Sequence, residues 1–432
     1  MLFLYNLFLP LIIGSLRIAS FFDAKIRRGF AGRIKLQDEV REHYRNLNPK
    51  LTRFLIHVAS YGELEQAKPV ISAIRARYPE AHIHLTFFSP SGYENAFGKF
   101  DGADFITYSP IDRRKNVSQF LDAVNPAIVL FTRYDVWPNI ADELKQRQIP
   151  TILFAATAAE GSGRLLPFVK KLHAIVYKGL TKILAIGIDD KARFEAMGVS
   201  PENIVVAGDT RFDQVIIRRQ NTESKMADIL PDNVRKSIED RSSLVFVVGS
   251  SWPSDEEIIR PALSQILSRR DNILTIIAPH EPSENRVRAL LAAFPKKSIR
   301  FSNLGFYSGE PIIIIDSIGK LFGLYRYADI AQIGGGFSSG VHNVLEAAVW
   351  SVPAIVGPNH KKSQEVQQLI DSIAAFQVSS RREFDFAFWK LAEDDHLRAT
   401  AGKNAAEFIS ERQGATSKIT DVLDTIIPKG VS

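Results

Sequence analysis

This 432-residue sequence predicts an α/β protein built from two doubly wound domains. Short β-type apolar runs alternate with segments of helical period, and they do so in two series separated by a polar stretch from Arg218 to Arg241. A glycine-rich turn also sits between two buried strands of the second series. Alternation of this kind gives parallel sheets covered on both faces. Ligands in such folds lie at the carboxyl ends of the strands.

Composition narrows the chemistry. Apolar residues make up 45% and charged residues 24%, the balance of an ordinary globular chain. A net charge of +6 suits an anionic partner, whether nucleic acid, a membrane surface or a phosphorylated substrate. There is no cysteine, which excludes disulfides, thiolate catalysis and cysteine metal sites. No HExxH and no clustered His/Asp spacing occurs, and no metal or cofactor is expected. The adjacent Asp189 and Asp190 read as a helix N-terminal pair.

From Leu2 to Phe22 the chain is nearly all apolar, and Lys25, Arg27, Arg28, Arg33 and Lys35 follow. About twenty helical residues span roughly 30 Å, the thickness of a bilayer core. Charges placed after the apolar segment argue against a secretory signal and keep the body of the protein cytoplasmic. Arg17 fits a full span poorly, so a helix that spans and one that lies in the membrane both remain open. Residues 1–24 are assigned to this anchor, 25–215 to the first domain, and 216–432 to the second domain with the C-terminal helices.

In the first domain strands are expected at Phe54–Ala59, His82–Phe88, Ala127–Phe131, Thr151–Ala155, Lys182–Ala185 and Ile204–Val206. Helical periodicity runs over Glu63–Tyr78, where Pro69 kinks the helix or marks where its regular part begins, and over Val117–Val124. In the second domain strands are expected at Leu244–Gly249, Ile273–Ala278, Pro311–Asp316, Asp329–Ile333 and Pro353–Val356. The turn Ser60-Tyr61-Gly62-Glu63 directly follows the first strand. A carboxylate there can deprotonate an acceptor hydroxyl, though the residues alone favour a helix N-terminus. The loops Ser89–Tyr93 and Phe131–Asn139 end neighbouring strands. Arg133 in the second of these can grip an anionic sugar or phosphate, while Trp137 reads as packing.

The second domain carries Gly334, Gly335 and Gly336, then a helix expected to open near Val341. Glycines permit close backbone approach, and a helix start offers N–H groups and a positive dipole end to a phosphate. His342 and Glu346 are four apart and are expected to share a helix face, with Asn343 between them. Glu346 can hold a ribose diol. Ser250 and Ser251 end one strand and His280 ends the next, all on the same edge.

These segments, taken in order, resemble a known family. HVASYGE, FFSPSGYE, DVWPN, VAGDTRFD, GSSWPSDEE, LYRYADIAQIGGGF, GVHNVLEAA and VPAIVGPN run co-linearly as in the 3-deoxy-D-manno-octulosonic acid (Kdo) transferases of lipopolysaccharide synthesis. The likeness extends from the anchor to roughly Lys403. It implies the GT-B glycosyltransferase fold, with two Rossmann-like domains facing a cleft, and inverting transfer of Kdo from CMP-Kdo to a lipid A precursor. By the same likeness Glu63 is the catalytic base. Ser250, Ser251, His280, Gly335, Gly336, Phe337, Asn343 and Glu346 take the donor, and Ser60, Gly62, Ser91 and Arg133 lie on the acceptor side. The leaving CMP phosphate is expected to meet N–H groups around Gly335 to Phe337, and Lys170, Lys171, Lys178 and Lys182 join the basic segment as a platform for lipid phosphates. The implied partners are CMP-Kdo, the lipid acceptor and the cytoplasmic face of the inner membrane, with no nucleic acid.

The chain also departs from the family pattern. Arg133 stands where many members carry glutamate, Trp252 where many carry His, and His280-Glu281 where many carry Arg-His. These positions bear on how donor and acceptor are gripped and on how many sugars are added. A GT-B enzyme or epimerase using a UDP-sugar, and a membrane-tethered nucleotide-binding protein without catalysis, stay open as alternatives. A dinucleotide oxidoreductase is disfavoured, because GGGFSSG lies late and lacks the G-x-G-x-x-G spacing after a first strand.

Overall fold

The computed structural model describes residues 1–158, 167–224, 229–240, 243–361 and 363–427. They fall into two compact units. Unit 1 comprises Met1–Gln214 with Gln413–Ser432, and unit 2 comprises Val215–Arg412. Where the sequence assigned every C-terminal helix to the second domain, the last one, Ala415–Ile426, belongs to unit 1. Its Ile419 and Leu423 join the core there. Both Asp213 carboxylate oxygens accept at its start, from Gly414 N and Thr416 N at 2.6 Å each. An N-terminal cap of this kind contributes about 0.5–2 kcal/mol. Asp213→Ala is therefore expected to lower stability by about that amount, read as a shifted denaturant midpoint at constant slope.

Unit 1 has seven parallel strands: β1 (Arg53–Val58), β2 (His82–Phe87), β3 (Phe105–Tyr108), β4 (Ile128–Thr132), β5 (Thr151–Ala156), β6 (Lys182–Ala185) and β7 (Ile204–Val206). Their order is β3-β2-β1-β4-β5-β6-β7. The strand sequences are continuous apolar runs because both faces are covered. One face packs Leu55, Val129 and Phe131 against Val117 and Phe120, and the other packs Ile56, Val58 and Leu130 against Leu64 and Ile71. The order reverses between β1 and β4, which pair directly with Ile56 beside Leu130. A ligand crevice belongs at that switch point.

Unit 2 repeats the plan with β8 (Leu244–Ser251), β9 (Ile273–Pro279), β10 (Ser298–Arg300), β11 (Ile312–Ile314), β12 (Ile330–Ile333), β13 (Ala354–Val356) and β14 (Ala375–Gln377). The order is β10-β11-β9-β8-β12-β13-β14, and here the reversal lies between β8 and β12. The polar stretch from Arg218 to Arg241 begins inside the helix Thr210–Ser224 and holds a further helix, Asp232–Asp240.

The N-terminal helix α1 (Leu2–Ala19) is long and apolar enough by length and composition to cross a membrane. It docks along unit 1. The Tyr5 hydroxyl donates to Asp112 Oδ2 at 2.8 Å, and the Asn6 and Asn139 side-chain amides exchange bonds of 2.9 and 2.8 Å. Leu9 and Ile13 are buried, whereas Phe3, Leu7, Phe8, Leu11 and Ile18 are exposed. α2 (Ala24–Ala31) follows, its start capped by Asp23. Arg33, just beyond it, does not face outward with the other basic residues. Its guanidinium donates to the carbonyls of Ser109, Gly29 and Phe88, and burial pulls its pKa down to about 10.

Candidate active site

The helix Tyr61–Arg77 begins directly beyond β1, two residues earlier than the periodicity suggested, and Pro69 lies inside it. The S-x-x-E spacing shows why. Ser60 Oγ accepts from Glu63 N at 3.4 Å, and Glu63 Oε2 accepts from Ala59 N at 2.6 Å, so serine and glutamate tie down the first turn together. The capping role of Glu63 is thus real. It does not account for the surroundings.

Glu63 is only 5% exposed, and burial raises its pKa. The Ala59 N–H opposes that rise, Asp135 adds to it, and His57 and Arg133 oppose it. Asp135 and Arg133 come from the loop after β4, across the switch point from Glu63. His57 bridges the two sides, with Nε2 3.3 Å from Asp135 Oδ2 and Nδ1 3.0 Å from Thr86 Oγ1. Arg133 holds φ +64° in the left-handed region, and its buried Nε has no hydrogen-bond partner. Such strain in a non-glycine residue costs of order 1–3 kcal/mol and gathers at functional sites. Sequence reading named Glu63 and Arg133 and missed His57, which was legible only as a polar residue within an apolar strand. Gly62 is exposed on the same turn. Ser91 is exposed at the second residue of the helix Pro90–Ala96 and shares a 2.9 Å contact with Ser89.

At the β8/β12 switch point the outcome differs from expectation in four ways. First, the helix after the glycines is a single turn, Leu345–Ala348, so His342 and Asn343 precede it in irregular chain. His342 and Glu346 therefore share no helix face. Second, the loop N–H groups do not point at open space. Gly335 N donates to Asp255 Oδ2 at 2.8 Å and Phe337 N to Asp255 Oδ1 at 3.4 Å, with Trp252 N on the same carboxylate at 2.8 Å. Asp255 is fully buried and is the anchor of this loop; a carboxylate three residues after Trp252, at the start of a helix, was its sequence signal. Third, Ser251 is buried and its hydroxyl donates to Glu256 Oε1 at 2.8 Å, which removes it from the donor side. Fourth, Glu346 is ion-paired with Arg218 at 2.6 Å.

Ser250, held at φ +52°, and the half-buried Phe337 and exposed Asn343 remain at this edge. Trp252, His280 and His342 stack above it, with centroids 4.6 Å apart for Trp252–His280 and 4.4 Å for His280–His342. Trp252 Nε1–H donates to His342 Nε2 at 2.7 Å. Burial, then the nearby His280, pull the His342 pKa down to about 4. His342 is therefore neutral at pH 7 with its proton on Nδ1, because indole N–H can only donate. Trp252→Phe removes that donor and is expected to cost about 0.5–1.5 kcal/mol. In ¹⁵N NMR the wild type should show one fixed His342 tautomer and the variant a mixture.

Among the described residues no group of three or more His, Asp or Glu side chains is placed to hold a metal ion. The expected lysine platform is divided. Lys171 and Lys178 are exposed, Lys182 Nζ donates to the Glu202 carbonyl at 2.7 Å, and the Lys170 side chain lies outside the described residues.

Two parallel seven-stranded units of this topology make an α/β fold of the GT-B type. Residues 28–214 match the family model for 3-deoxy-D-manno-octulosonic-acid transferase (kdotransferase). The chain resembles the Kdo transferases over most of its length. It is 25% identical over 381 residues to 3-deoxy-D-manno-octulosonic acid transferase of Haemophilus influenzae, covering 87% of each chain. It is 26% identical over 381 residues to the enzyme of that name from Chlamydophila psittaci, covering 86% of this chain and 84% of the relative. Among solved structures, UDP-GlcNAc 2-epimerase from Neisseria meningitidis superposes with TM-score 0.60 at 13% identity, over 87% of this chain and 100% of the epimerase. That likeness concerns the fold alone.

Proposed function

We propose that this protein transfers Kdo from CMP-Kdo to a hydroxyl of a lipid A precursor, with inversion at the sugar and release of CMP. The observation that carries the reading is Glu63, a buried carboxylate of raised pKa at the β1/β4 switch point beside a strained, under-bonded arginine. Glu63 takes the proton of the acceptor hydroxyl as that oxygen bonds to the anomeric carbon. The bond from that carbon to the phosphate oxygen breaks, and its electron pair leaves with CMP. Arg133, in place of the family's usual glutamate, grips an anionic group of the acceptor. Ser60, Gly62 and Ser91 line the acceptor side.

On the donor side the roles shift from the original expectation. The N–H groups of Gly335 and Phe337 are committed to Asp255, so the leaving phosphate is met by Ser250, His280 and the Nδ1–H of His342. Developing charge met by such pre-placed donors lowers the barrier. Glu346, oriented by Arg218, accepts from the ribose diol, and Asn343 and Phe337 flank the nucleotide.

Reaction at the cytoplasmic face of the inner membrane fits α1. A helix whose N-terminal half is hydrogen-bonded to Asp112 and Asn139 lies along the domain, leaving its apolar outer face for the interface rather than crossing the bilayer. Exposed Lys25, Arg27 and Arg28 sit beside it, where anionic lipid attracts cations. Competition separates CMP-Kdo from a UDP-sugar donor. CMP is expected to displace donor at least tenfold more tightly than UDP, and equal or tighter displacement by UDP would transfer the assignment to a UDP-sugar enzyme.

A further inference from the structure

Unit 1 contains a cavity of 370 Å³ on the α1 side of its sheet, apart from Glu63 and bordering His57. That volume lies in the range of ligand pockets. Ile12 and Leu16 of α1 and Phe30 of α2 form one wall, and Phe120, Phe131 and Trp137 form the other. Most of the polar side chains at its border are already satisfied from within the protein, the buried Trp137 indole N–H being the exception. Tyr5 bonds Asp112, His57 bonds Thr86 and Asp135, and Arg33 spends its guanidinium on three carbonyls. A polar ligand would find little to bond there; a hydrocarbon chain needs nothing. Dry apolar cavities take up apolar ligands for this reason. The exposed Lys25 is part of the lining and marks a rim where an anionic group can rest.

We infer that this cavity receives a single acyl chain of a lipid, entering beneath α1 with its polar end toward Lys25. The occupant is set by position. One face of α1 lines the cavity, while its other face exposes Phe3, Leu7, Phe8 and Leu11, the pattern of a helix in contact with lipid. A chain leaving a bilayer in contact with that face would reach the cavity past α1. The chain can belong to the acceptor or to a bilayer lipid, and if it belongs to the acceptor it deepens the proposed transfer by fixing the glycolipid beside His57.

Leu16→Trp and Ile12→Trp fill the cavity from residues that are themselves 43% and 50% exposed, so the core is spared. Full-length protein held in amphipol is titrated with dodecanoate and with butyrate. The expected result is saturable dodecanoate binding, weakened at least tenfold in both variants at unchanged melting temperature, with no butyrate binding. This readout needs no transferase activity, so it stands apart from the proposed reaction. Dodecanoate binding that neither variant weakens, or none in the wild type, overturns the inference. Acceptors with and without acyl chains then separate the sources. A KM raised at least tenfold only for the acylated acceptor assigns the chain to the acceptor, whereas unchanged KM with weakened phospholipid-vesicle binding assigns it to the bilayer.

Discussion

Glu63→Gln is expected to lower turnover by about 10²–10⁴-fold, the contribution of a positioned general base, while CMP affinity stays unchanged. The amide keeps an oxygen to accept from Ala59 N, so the first turn of its helix retains its tie. Stability sets this result apart from simple unfolding. The pKa of Glu63 is raised in the folded state, so folding favours its protonated form. The stability from that preference is full below the unfolded pKa and lost as pH rises through the folded one. Above the folded-state pKa the ionised wild-type side chain is thus a burden, and there the neutral Gln variant should melt no lower than wild type. The same shift sets the rate profile. A base must be deprotonated, so kcat/KM should fall on the acid side at a pH above the ordinary carboxylate range near 4.3, and the Gln variant should lose that limb.

The second large effect is expected at the glycine loop. A Cβ on Gly336 would lie 2.5 Å from Gly357 N, and one on Gly334 would lie 2.1 Å from the Ser250 carbonyl oxygen. These are backbone atoms that cannot swing aside. Gly335 adds φ +87°, with its Cβ 2.2 Å from the Gly340 carbonyl oxygen. Alanine at Gly336 should therefore cost about 1–3 kcal/mol or more in overpacking and displace the strand-end loops on which the donor rests. CMP binding should disappear in calorimetry, and the transition should fall by about 2–4 °C per kcal/mol for a unit of this size. Retained CMP affinity would show that the loop tolerates the shift and that the donor is held elsewhere.

The three glycines illustrate what was legible in the sequence. Their number signalled close approach, and close approach is what they make, but to the chain's own backbone rather than to a phosphate. The partner of their N–H groups, Asp255, lies some eighty residues away and only the fold brings it in. Central strands such as Phe54–Ala59 and Leu244–Gly249 were readable because burial on both faces makes them unbroken apolar runs. The strands left unread, β3, β10 and β14, are all at sheet edges. β10, Ser-Ile-Arg, is half-buried throughout and carries no apolar run to read. Glu63 stood out as a carboxylate in the turn that follows β1, and the family resemblance rather than its position marked it as the base. Arg33, Ser251 and Glu346 were assigned outward or ligand-facing roles by residue type, and each is engaged by a neighbour that sequence distance concealed.

Purified protein, CMP-Kdo generated in place and tetraacylated lipid A precursor are incubated together, and the lipid is read by mass spectrometry. A product heavier by one Kdo, or by whole multiples of it, is the expected result and counts the additions. An unshifted lipid mass, with CMP-Kdo consumed or CMP still bound, would contradict it.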